Sequence, residues 1–538
     1  MSDTGSKARK VRVRVGTGAS LTGWRRAILY VHRWLGIFGG LLFLLWFVSG
    51  IVMMYARMPS FSPEERLARQ RPLDLGKALV PPAEAARRAR AATDRLRIGM
   101  LGDRPVYRFY GGPGWTTVFA EDARALEGLS ADEALRLVRG QFPESALTLR
   151  YDGYLTKPDQ WTLQSGAFFP LHRVAAGDRA DTRLYVSDRT GEVVMKTDAR
   201  GRRLAYVGAV VHWLYFTPLR SHPGVWLRSV LWISIAGCVL TLSGLLWGIL
   251  RFSPAAVFRH QGSASRSPYA GLLRWHHYAG LLFGLFTFTW ILSGALSLDP
   301  WGWSPPTSPT TAQREAVAGG RLRIDTLTLP GLRAGLAALS ASFPVKELEL
   351  VRFRGETFLL AERPPDEGIP RPAGGRVATY PSGTPVGEHL LVAARAPERG
   401  TFQRFGDDAV LAAARDAMPG VDIENETWLN AYDGYYYDRD GGRPLPVLRV
   451  RFGDARRTWL YLDPGRGAIV RREERRSRLN RWLYHGLHSL DFPFLYSRRP
   501  LWDIVVIVLA LGGILVSGST LLPAWRRLAR HSGRLWRR

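Results

Sequence analysis

The chain has almost no cysteine. Its 538 residues include one, Cys238, which stands in an apolar run. Disulfides and thiolate-bound zinc or iron–sulfur sites need at least two cysteines, so none of them can form within the chain. Histidine, with 11 copies, is the main nitrogen ligand left for a metal or a metal-bearing cofactor.

The sequence also lacks a glycine-rich nucleotide loop. No dinucleotide or phosphate-binding pattern follows a strand-like segment and opens a helix. A nicotinamide-binding or ATP-binding domain is therefore not expected. Any electrons that the protein uses must come from another molecule.

Acidic residues are few beside basic ones. Lys and Arg number 74 against 46 Asp and Glu, which gives a net charge of +28. Three short segments, 1–27, 251–275 and 523–538, hold much of this excess and contain a single acid. Membrane topology explains such clustering, so we expect no nucleic-acid partner.

Charged residues are absent from four long apolar runs. Each run has about 20 residues, the length that crosses the hydrocarbon core of a bilayer as a helix. Trp and Tyr stand at their ends, as is typical of side chains at the headgroup level. The sequence therefore predicts four transmembrane helices, over 34–55, 229–250, 278–298 and 504–525.

The basic segments predict the orientation of these spans. Arg-rich flanks stay in the cytoplasm, so both termini are expected there. No small-residue cleavage site follows the first span, which indicates a retained anchor. The predicted layout is a cytoplasmic segment 1–27, span 28–55, periplasmic domain 56–226, span 227–250, cytoplasmic loop 251–272, span 273–298, periplasmic domain 299–500, span 501–525 and cytoplasmic tail 526–538.

An internal repeat supports this layout. A duplicated unit of two spans with one domain between them accounts for it most simply. The repeated motifs are His32-Arg-Trp-Leu-Gly36 with Trp46-Phe-Val-Ser-Gly50, matched 244 residues later by His276-His-Tyr-Ala-Gly280 with Trp290-Ile-Leu-Ser-Gly294, and Tyr151-Asp-Gly-Tyr154, matched by Tyr432-Asp-Gly-Tyr435.

Each domain has the pattern of a small α+β unit. Helical spacing is followed by short alternating segments typical of strands, and an earlier helix suggests two such units per domain. The predicted fold class is thus a membrane protein with four transmembrane α-helices and two periplasmic α+β domains. The predicted helices are 82–95, 130–139, 332–342 and 407–418, and the predicted strands are 182–186, 192–196, 447–452, 458–462 and 467–471.

The first candidate site is formed by His32 and His276, which open the first and third spans. Two imidazoles on opposite sides of a haem iron are a common axial ligand set. Glycines follow on the same helical face at i+4 and i+8, where a flat macrocycle could approach the backbone. The alternatives are that these glycines only allow close helix packing, and that His277 binds in place of His276. The glycines are Gly36, Gly40, Gly280 and Gly284.

The second candidate site is formed by His212 and His488, which precede the second and fourth spans in aromatic-rich stretches. We expect them to bind a second haem on the outer side, with His485 as the alternative to His488. A bare zinc or copper ion is a further alternative, although no carboxylates cluster with these histidines in the sequence. His172, which has no repeat partner, is expected to be an ordinary surface or loop residue.

Taken together, these motifs resemble the PepSY-associated transmembrane proteins, and among them the bacterial inner-membrane ferric-siderophore reductases. The resemblance extends over nearly the whole chain. It rests on the histidine motifs at residues 32 and 276, the segments around His212 and His488, and the strand turns of the domains. It implies PepSY-like domains and a haem-b reductase, with two haems as the expected number.

The implied activity is transfer of electrons across the membrane to a ferric siderophore in the periplasm, which releases Fe(II) for iron uptake. The electron donor is open between a membrane quinol and a reductase, because the chain lacks the flavodoxin-like domain of some relatives. Two other hypotheses remain: a non-enzymatic PepSY-type sensor or regulator, and a transporter of iron or siderophore. The spans hold no charged pathway residue, which disfavours transport.

Overall fold

A computed structural model describes residues 23–112, 114–145, 148–260, 263–363, 388–438 and 442–535, with side chains as far as residue 530. Most of the predicted segment 1–27 lies outside the described residues. The α-helices are α1 Gly23–Tyr55, α2 Pro63–Ala68, α3 Pro82–Arg88, α4 Ala131–Gln141, α5 Ala199–Ala205, α6 Val211–Trp213, α7 Thr217–Arg220, α8 Pro223–Arg251, α9 Leu272–Leu296, α10 Thr311–Ala318, α11 Leu329–Ser340, α12 Asp407–Asp416, α13 Arg475–Asn480, α14 Leu487–Ser489, α15 Pro493–Tyr496 and α16 Leu501–Leu535.

The strands occupy the long segments between the membrane-length helices, apart from one short hairpin between α8 and α9. They are β1 Arg95–Leu101, β2 Arg104–Gly111, β3 Gly114–Phe119, β4 Arg150–Leu155, β5 Leu171–Ala175, β6 Arg183–Ser187, β7 Val193–Thr197, β8 Phe258–His260, β9 Ser263–Ser265, β10 Leu348–Phe353, β11 Glu356–Glu362, β12 His389–Ala393, β13 Ile423–Leu429, β14 Val447–Phe452, β15 Trp459–Asp463 and β16 Ala468–Glu473.

Within the described residues, α1, α8, α9 and α16 are the four helices long and apolar enough to cross a membrane. The chain thus has four helices of membrane-spanning length and composition, as the sequence predicts, which is consistent with a membrane protein. α1 ends at the predicted residue 55 but begins 11 residues before the predicted residue 34. The difference arises because the first turns of α1 contain arginine and are helical without being apolar. A search for uncharged runs therefore places the start of this helix too late.

The chain divides into two compact units. The first comprises Met1–Leu44, Ile233–Leu292 and Leu511–Arg538. Its described part consists of helix segments and the β8–β9 hairpin, and it contains no Asp or Glu. The second unit comprises Leu45–Trp232 and Ser293–Ala510 and holds all the other strands.

The second unit contains three sheets. The largest has six strands in the order β12-β11-β10-β1-β2-β3, so each predicted domain contributes three of its strands. β1 and β10 join the two sets as antiparallel neighbours, with Arg97 opposite Glu349. The other two are four-stranded meanders, β4-β5-β6-β7 and β13-β14-β15-β16. The meanders are copies of each other, and together with the three-stranded sets they show the duplication in the fold.

Local sequence explains most element ends. Ser130 caps α4 with a capping box to Glu133, as the Ser-x-x-Glu spacing predicts. β14 has the predicted bounds, whereas the helix predicted over 82–95 ends at Arg88. Arg90 takes a left-handed backbone conformation (φ 51°), which stops the helix before β1.

A buried ionic network ties the central sheet to the first meander. Glu192, from the turn before β7, accepts hydrogen bonds from Arg66 (2.6 Å) and Arg97 (3.0 Å) and lies 3.6 Å from Arg108. Burial by itself would raise the pKa of Glu192, but the nearby guanidinium groups of Arg108, Arg97 and Arg66 hold it well below its usual range. Glu347 joins the network from the second predicted domain, through Arg66 and Arg97.

Candidate functional site: two paired histidines

His32 on α1 and His276 on α9 face each other in the first unit. Their ring centroids are 6.0 Å apart, and the ring planes are inclined by 37°. The Nδ1–H of His32 donates to the carbonyl oxygen of Leu240 (3.0 Å), and that of His276 donates to the carbonyl oxygen of Val516 (2.9 Å). Because a carbonyl can only accept, each Nδ1 carries the proton and each Nε2 keeps its lone pair.

The backbone of α8 and α16 is shaped to receive these rings. Ser243 and Ser519 also donate to the carbonyls of Leu240 and Val516, at 2.9 and 3.0 Å. Gly244 lies so close to His32 that a Cβ there would be 2.5 Å from its Cε1. A glycine at this position is therefore needed for His32 to reach its carbonyl partner.

The structure separates His276 from its neighbour His277. His277 is 5% exposed, and both of its ring nitrogens have partners: Ser267 Oγ at 2.8 Å and the carbonyl oxygen of Gly248 at 2.8 Å. The Nε2–H donates to Gly248, and Nδ1 accepts from Ser267. This leaves His277 no nitrogen for a ligand bond. His276, which the sequence also favours, is therefore the better candidate ligand.

The four glycines predicted to border a macrocycle have different surroundings. Cβ atoms at Gly36 and Gly40 would touch Leu240 and Thr520 at ordinary contact distances, 3.7 and 3.5 Å. A Cβ at Gly284 would come within 2.8 Å of Leu245, so this glycine serves helix packing. Gly280 has no atom within 4 Å of its Cβ position among the described residues. It is thus the predicted glycine whose surroundings best suit a flat ligand.

His212 on α6 and His488 on α14 form the second pair, in the second unit. Their ring centroids are 6.1 Å apart, with the planes inclined by 70°. The Nδ1–H of His212 donates to the carbonyl oxygen of Trp46 (3.1 Å) and lies 3.1 Å from Ser49 Oγ. Nδ1 of His488 likewise lies 3.1 Å from Ser293 Oγ. Burial, and then the proximity of His488, lower the pKa of His212 to about 4, so His212 is neutral at physiological pH.

The same local structure presents both histidines of this pair. A short π-helix precedes each one, at Tyr206–Val210 and at Arg481–Gly486, and such segments are frequent at functional sites. A leucine in the left-handed conformation follows each one, Leu214 and Leu490, both with φ 52°. Leucine rarely adopts this conformation, so its occurrence in both copies indicates that the turn is maintained for a purpose.

Two tryptophans and two glycines complete the duplicated setting. The indole N–H of Trp226 donates to the carbonyl oxygen of Trp213 (2.9 Å), and that of Trp502 donates to that of Ser489 (3.0 Å). In each copy the accepting residue directly follows the histidine. The imidazoles lie over Gly50 and Gly294, where a Cβ would meet the rings of His212 and His488 at 3.5 and 3.4 Å.

His485, the alternative to His488, has a different ring neighbour in the described contacts. Its ring packs on Tyr484 with the centroids 4.5 Å apart, while the ring of His488 faces His212. The structure therefore brings together the pairs predicted first, His32 with His276 and His212 with His488.

Both centroid separations fit an iron held between two imidazoles. An imidazole nitrogen binds a first-row metal at roughly 2 Å and the ring centroid lies about 1 Å behind that nitrogen, so two axial imidazoles have centroids about 6 Å apart. A bare ion needs further protein ligands, and no group of three His, Cys, Asp or Glu side chains lies close enough to supply them anywhere in the described part of the chain. A porphyrin brings its own four nitrogens, so two histidines would be enough to hold a haem.

Several site residues escaped the sequence analysis. Ser49 and Ser293 were visible in the repeated Trp-x-x-Ser-Gly motif, yet their contact with a histidine 163 or 195 residues away had no local signal. The carbonyls of Leu240 and Val516 are backbone groups, which no residue pattern marks.

No family model and no curated protein matches this chain.

Proposed function

We propose that the protein is an inner-membrane electron carrier with two b-type haems, which reduces a ferric siderophore on the periplasmic side and releases Fe(II). The observation that carries the proposal is the presence of two pairs of facing imidazoles, with ring centroids 6.0 and 6.1 Å apart, in which the Nδ1–H groups of His32, His276 and His212 donate to backbone carbonyls. Haem c is disfavoured, because its thioether attachment uses two cysteines and the chain has one.

The chain's own residues prepare both sites for electron transfer. When bound, each haem iron would cycle between Fe(III) and Fe(II) and so carry one electron at a time. His32 with His276, and His212 with His488, would each hold one haem iron through two imidazoles, so that no place on the iron would be left for oxygen or substrate. The fixed Nδ1 contacts hold the imidazole orientation, as is usual for metal-binding histidines. Such an arrangement favours electron transfer over chemistry at the iron.

The proposed acceptor follows from iron chemistry and from the family resemblance. One electron from the protein converts the chelated Fe(III) to Fe(II), and no bond in the chelator needs to break. Hard anionic oxygen donors hold the trivalent ion more tightly, so reduction itself favours release. The electron would come from a membrane quinol or from a soluble reductase, since the sequence shows no nucleotide-binding loop.

An absorption spectrum provides the first test. The purified, detergent-solubilised chain should be red and show the sharp reduced bands of six-coordinate low-spin haem, at about two haems per chain by pyridine haemochrome. Colourless protein from haem-replete cells would contradict the haem proposal and favour the sensor hypothesis.

The acceptor is tested separately. Dithionite-reduced protein is mixed anaerobically with a ferric hydroxamate in the presence of an Fe(II)-trapping dye. The haem bands should revert to the oxidised form while trapped Fe(II) accumulates in equal amount. Haems that remain reduced with hydroxamate, catecholate and carboxylate chelates alike would exclude the reductase proposal and leave the haem proposal intact.

A further inference from the structure

His172 is one of the most enclosed histidines in the protein. It is 2% exposed in the middle strand of the first meander, so the expectation of an ordinary surface or loop residue was wrong. Its Nε2 lies 3.0 Å from Asp188 Oδ1, and its Nδ1 lies 3.1 Å from the hydroxyl of Tyr151. The hydroxyl of Tyr154 donates to Asp188 Oδ2 at 3.1 Å. An imidazole, a carboxylate and a phenol thus converge on one point of the sheet.

The second meander lacks this cluster although it keeps the same framework. The repeated Tyr-Asp-Gly-Tyr motif places Tyr432 and Tyr435 where the first copy has Tyr151 and Tyr154. Its Asp433 pairs with Arg449 at 2.7 Å, as Asp152 pairs with Arg173 at 2.7 Å. The histidine and the second aspartate are replaced in the second copy. Leu448 occupies the position of His172, and Pro464 occupies that of Asp188.

This difference shows that the fold does not need the imidazole or the carboxylate. The copy with Leu448 and Pro464 forms the same four-stranded meander. Tyr435 there accepts a hydrogen bond from the indole of Trp482 (3.1 Å) instead of facing an acid. Packing of the meander therefore does not account for the histidine and the acid of the first copy, which points to a chemical role for them.

We propose that Tyr154, His172 and Asp188 form a binding site for a non-haem ferric ion. Phenolate and carboxylate oxygens are hard anionic donors suited to a trivalent cation, and imidazole binds iron readily. Donor atoms about 2.1 Å from a cation and at right angles lie about 3 Å apart. The separations of 3.0 and 3.1 Å in the cluster are of this size, so iron could replace the shared protons with little movement of the chain.

The protons can be followed through the binding step. The phenol of Tyr154 loses its proton to solvent, and the Asp188 carboxylate already carries its negative charge. The Nε2–H of His172 faces the Asp188 carboxylate in this structure, so on binding through Nε2 the imidazole moves its single proton to Nδ1, which then donates to the oxygen of Tyr151. Tyr151 is therefore a positioning residue, since a hydroxyl can accept as well as donate.

The partial exposure of two of the three ligands would let such an ion enter and would leave some of its coordination positions open to solvent. Tyr154 is 47% exposed, and the side chain of Asp188 is 15% exposed, although His172 is enclosed. Three protein ligands leave about three positions of a six-coordinate ion for water or for chelator oxygens. A hard ion that is still partly held by its chelator is the form of iron that this site fits.

The test counts non-haem iron on the full-length protein in detergent. The protein is equilibrated with ferric nitrilotriacetate and washed, and haem iron by pyridine haemochrome is subtracted from total iron. We expect about one non-haem iron per chain, with a rhombic high-spin ferric EPR signal distinct from that of low-spin haem. The variants His172→Leu, Asp188→Asn and Tyr154→Phe should lose it, and Tyr151→Phe should weaken iron binding by about 10–100-fold.

The second meander provides the matched control. Tyr435→Phe removes the equivalent phenol and should leave non-haem iron unchanged. Tyr154→Phe removes one oxygen from a half-exposed side chain, so it tests the site even where His172→Leu fails to fold. The proposal is overturned if the wild-type chain retains no non-haem iron, if Tyr154→Phe retains it in full, or if the cluster takes up Zn²⁺ but not Fe(III). The count does not depend on reductase activity, so its failure is separate from that of the haem proposal.

Discussion

The two members of a histidine pair have nearly the same surroundings, whereas the sheets in the second unit have diverged. Around His212 and His488, the serine contact of Nδ1, the π-helix, the left-handed leucine and the tryptophan hydrogen bond each occur twice. In the sheets, His172 and Glu192 of the first copy correspond to Leu448 and Ala468 of the second. The two members of this pair thus need the same geometry, while each sheet is free to take on a role of its own.

The largest effect is expected when one histidine of a pair is removed. If each pair holds its own haem, as proposed, His276→Ala should eliminate about one of the two haems and leave the spectrum of the other unchanged. The neighbouring variant His277→Ala should keep both haems, since His277 is bonded to Ser267 and Gly248. Pyridine haemochrome and reduced spectra of both purified variants provide the measurement. Equal haem loss in the two variants would contradict the assignment of His276.

The pair of His212 and His488 offers the same comparison. His488→Ala should remove the haem that His276→Ala leaves behind, whereas His485→Ala should retain it because the ring that faces His212 is that of His488. The double variant His276→Ala with His488→Ala should then be colourless but still folded, as judged by circular dichroism. Complete haem loss in each single variant would indicate a shared site and exclude two separate pairs.

A smaller effect is expected where the sheets differ. Glu192→Gln removes the carboxylate charge that Arg66, Arg97 and Arg108 share, and breaking a buried ion pair costs about 3–5 kcal/mol. The matched control is Glu84→Gln, which removes a helical surface pair with Arg88 and should change the free energy of unfolding by about 0.5 kcal/mol or less. Denaturant unfolding of the full chain in detergent, followed by tryptophan fluorescence, compares the two. Equal shifts would show that the network contributes no more than a surface pair.

The same substitution makes a prediction about pH. The pKa of Glu192 is lower in the folded than in the unfolded chain, so its charge stabilises the fold above the unfolded value of about 4.3. That contribution is lost as the pH falls below this value toward the folded pKa. The free energy of unfolding of the wild-type chain should therefore fall more steeply than that of Glu192→Gln between about pH 5 and 3.

The sequence predicts the four long helices and the histidine pairing better than it predicts the sheets. Uncharged runs and a repeat of fixed spacing are local signals, so His32 and His276 could be recognised from the helix face they share with the glycines. The β1–β10 pairing joins segments about 250 residues apart, and nothing in either strand identifies its partner. His172 and Asp188 meet only because neighbouring strands bring them together, which a pattern along the chain does not show.

The smallest expected effect tests whether the serine contacts are equivalent in both copies. Ser49→Ala and Ser293→Ala each remove a hydroxyl 3.1 Å from a histidine Nδ1. A hydrogen bond of this kind contributes about 0.5–1.5 kcal/mol, so haem should be retained roughly two- to tenfold less tightly in each variant. Transfer of haem to excess apomyoglobin measures the loss, and Thr289→Ala, whose hydroxyl bonds only within its own helix turn to Phe286, is the control on α9. Because His212 also donates to the carbonyl of Trp46, Ser49→Ala should keep the haem in place and change only its rate of escape. A large loss from one serine variant and none from the other would show that the two copies hold their histidines differently.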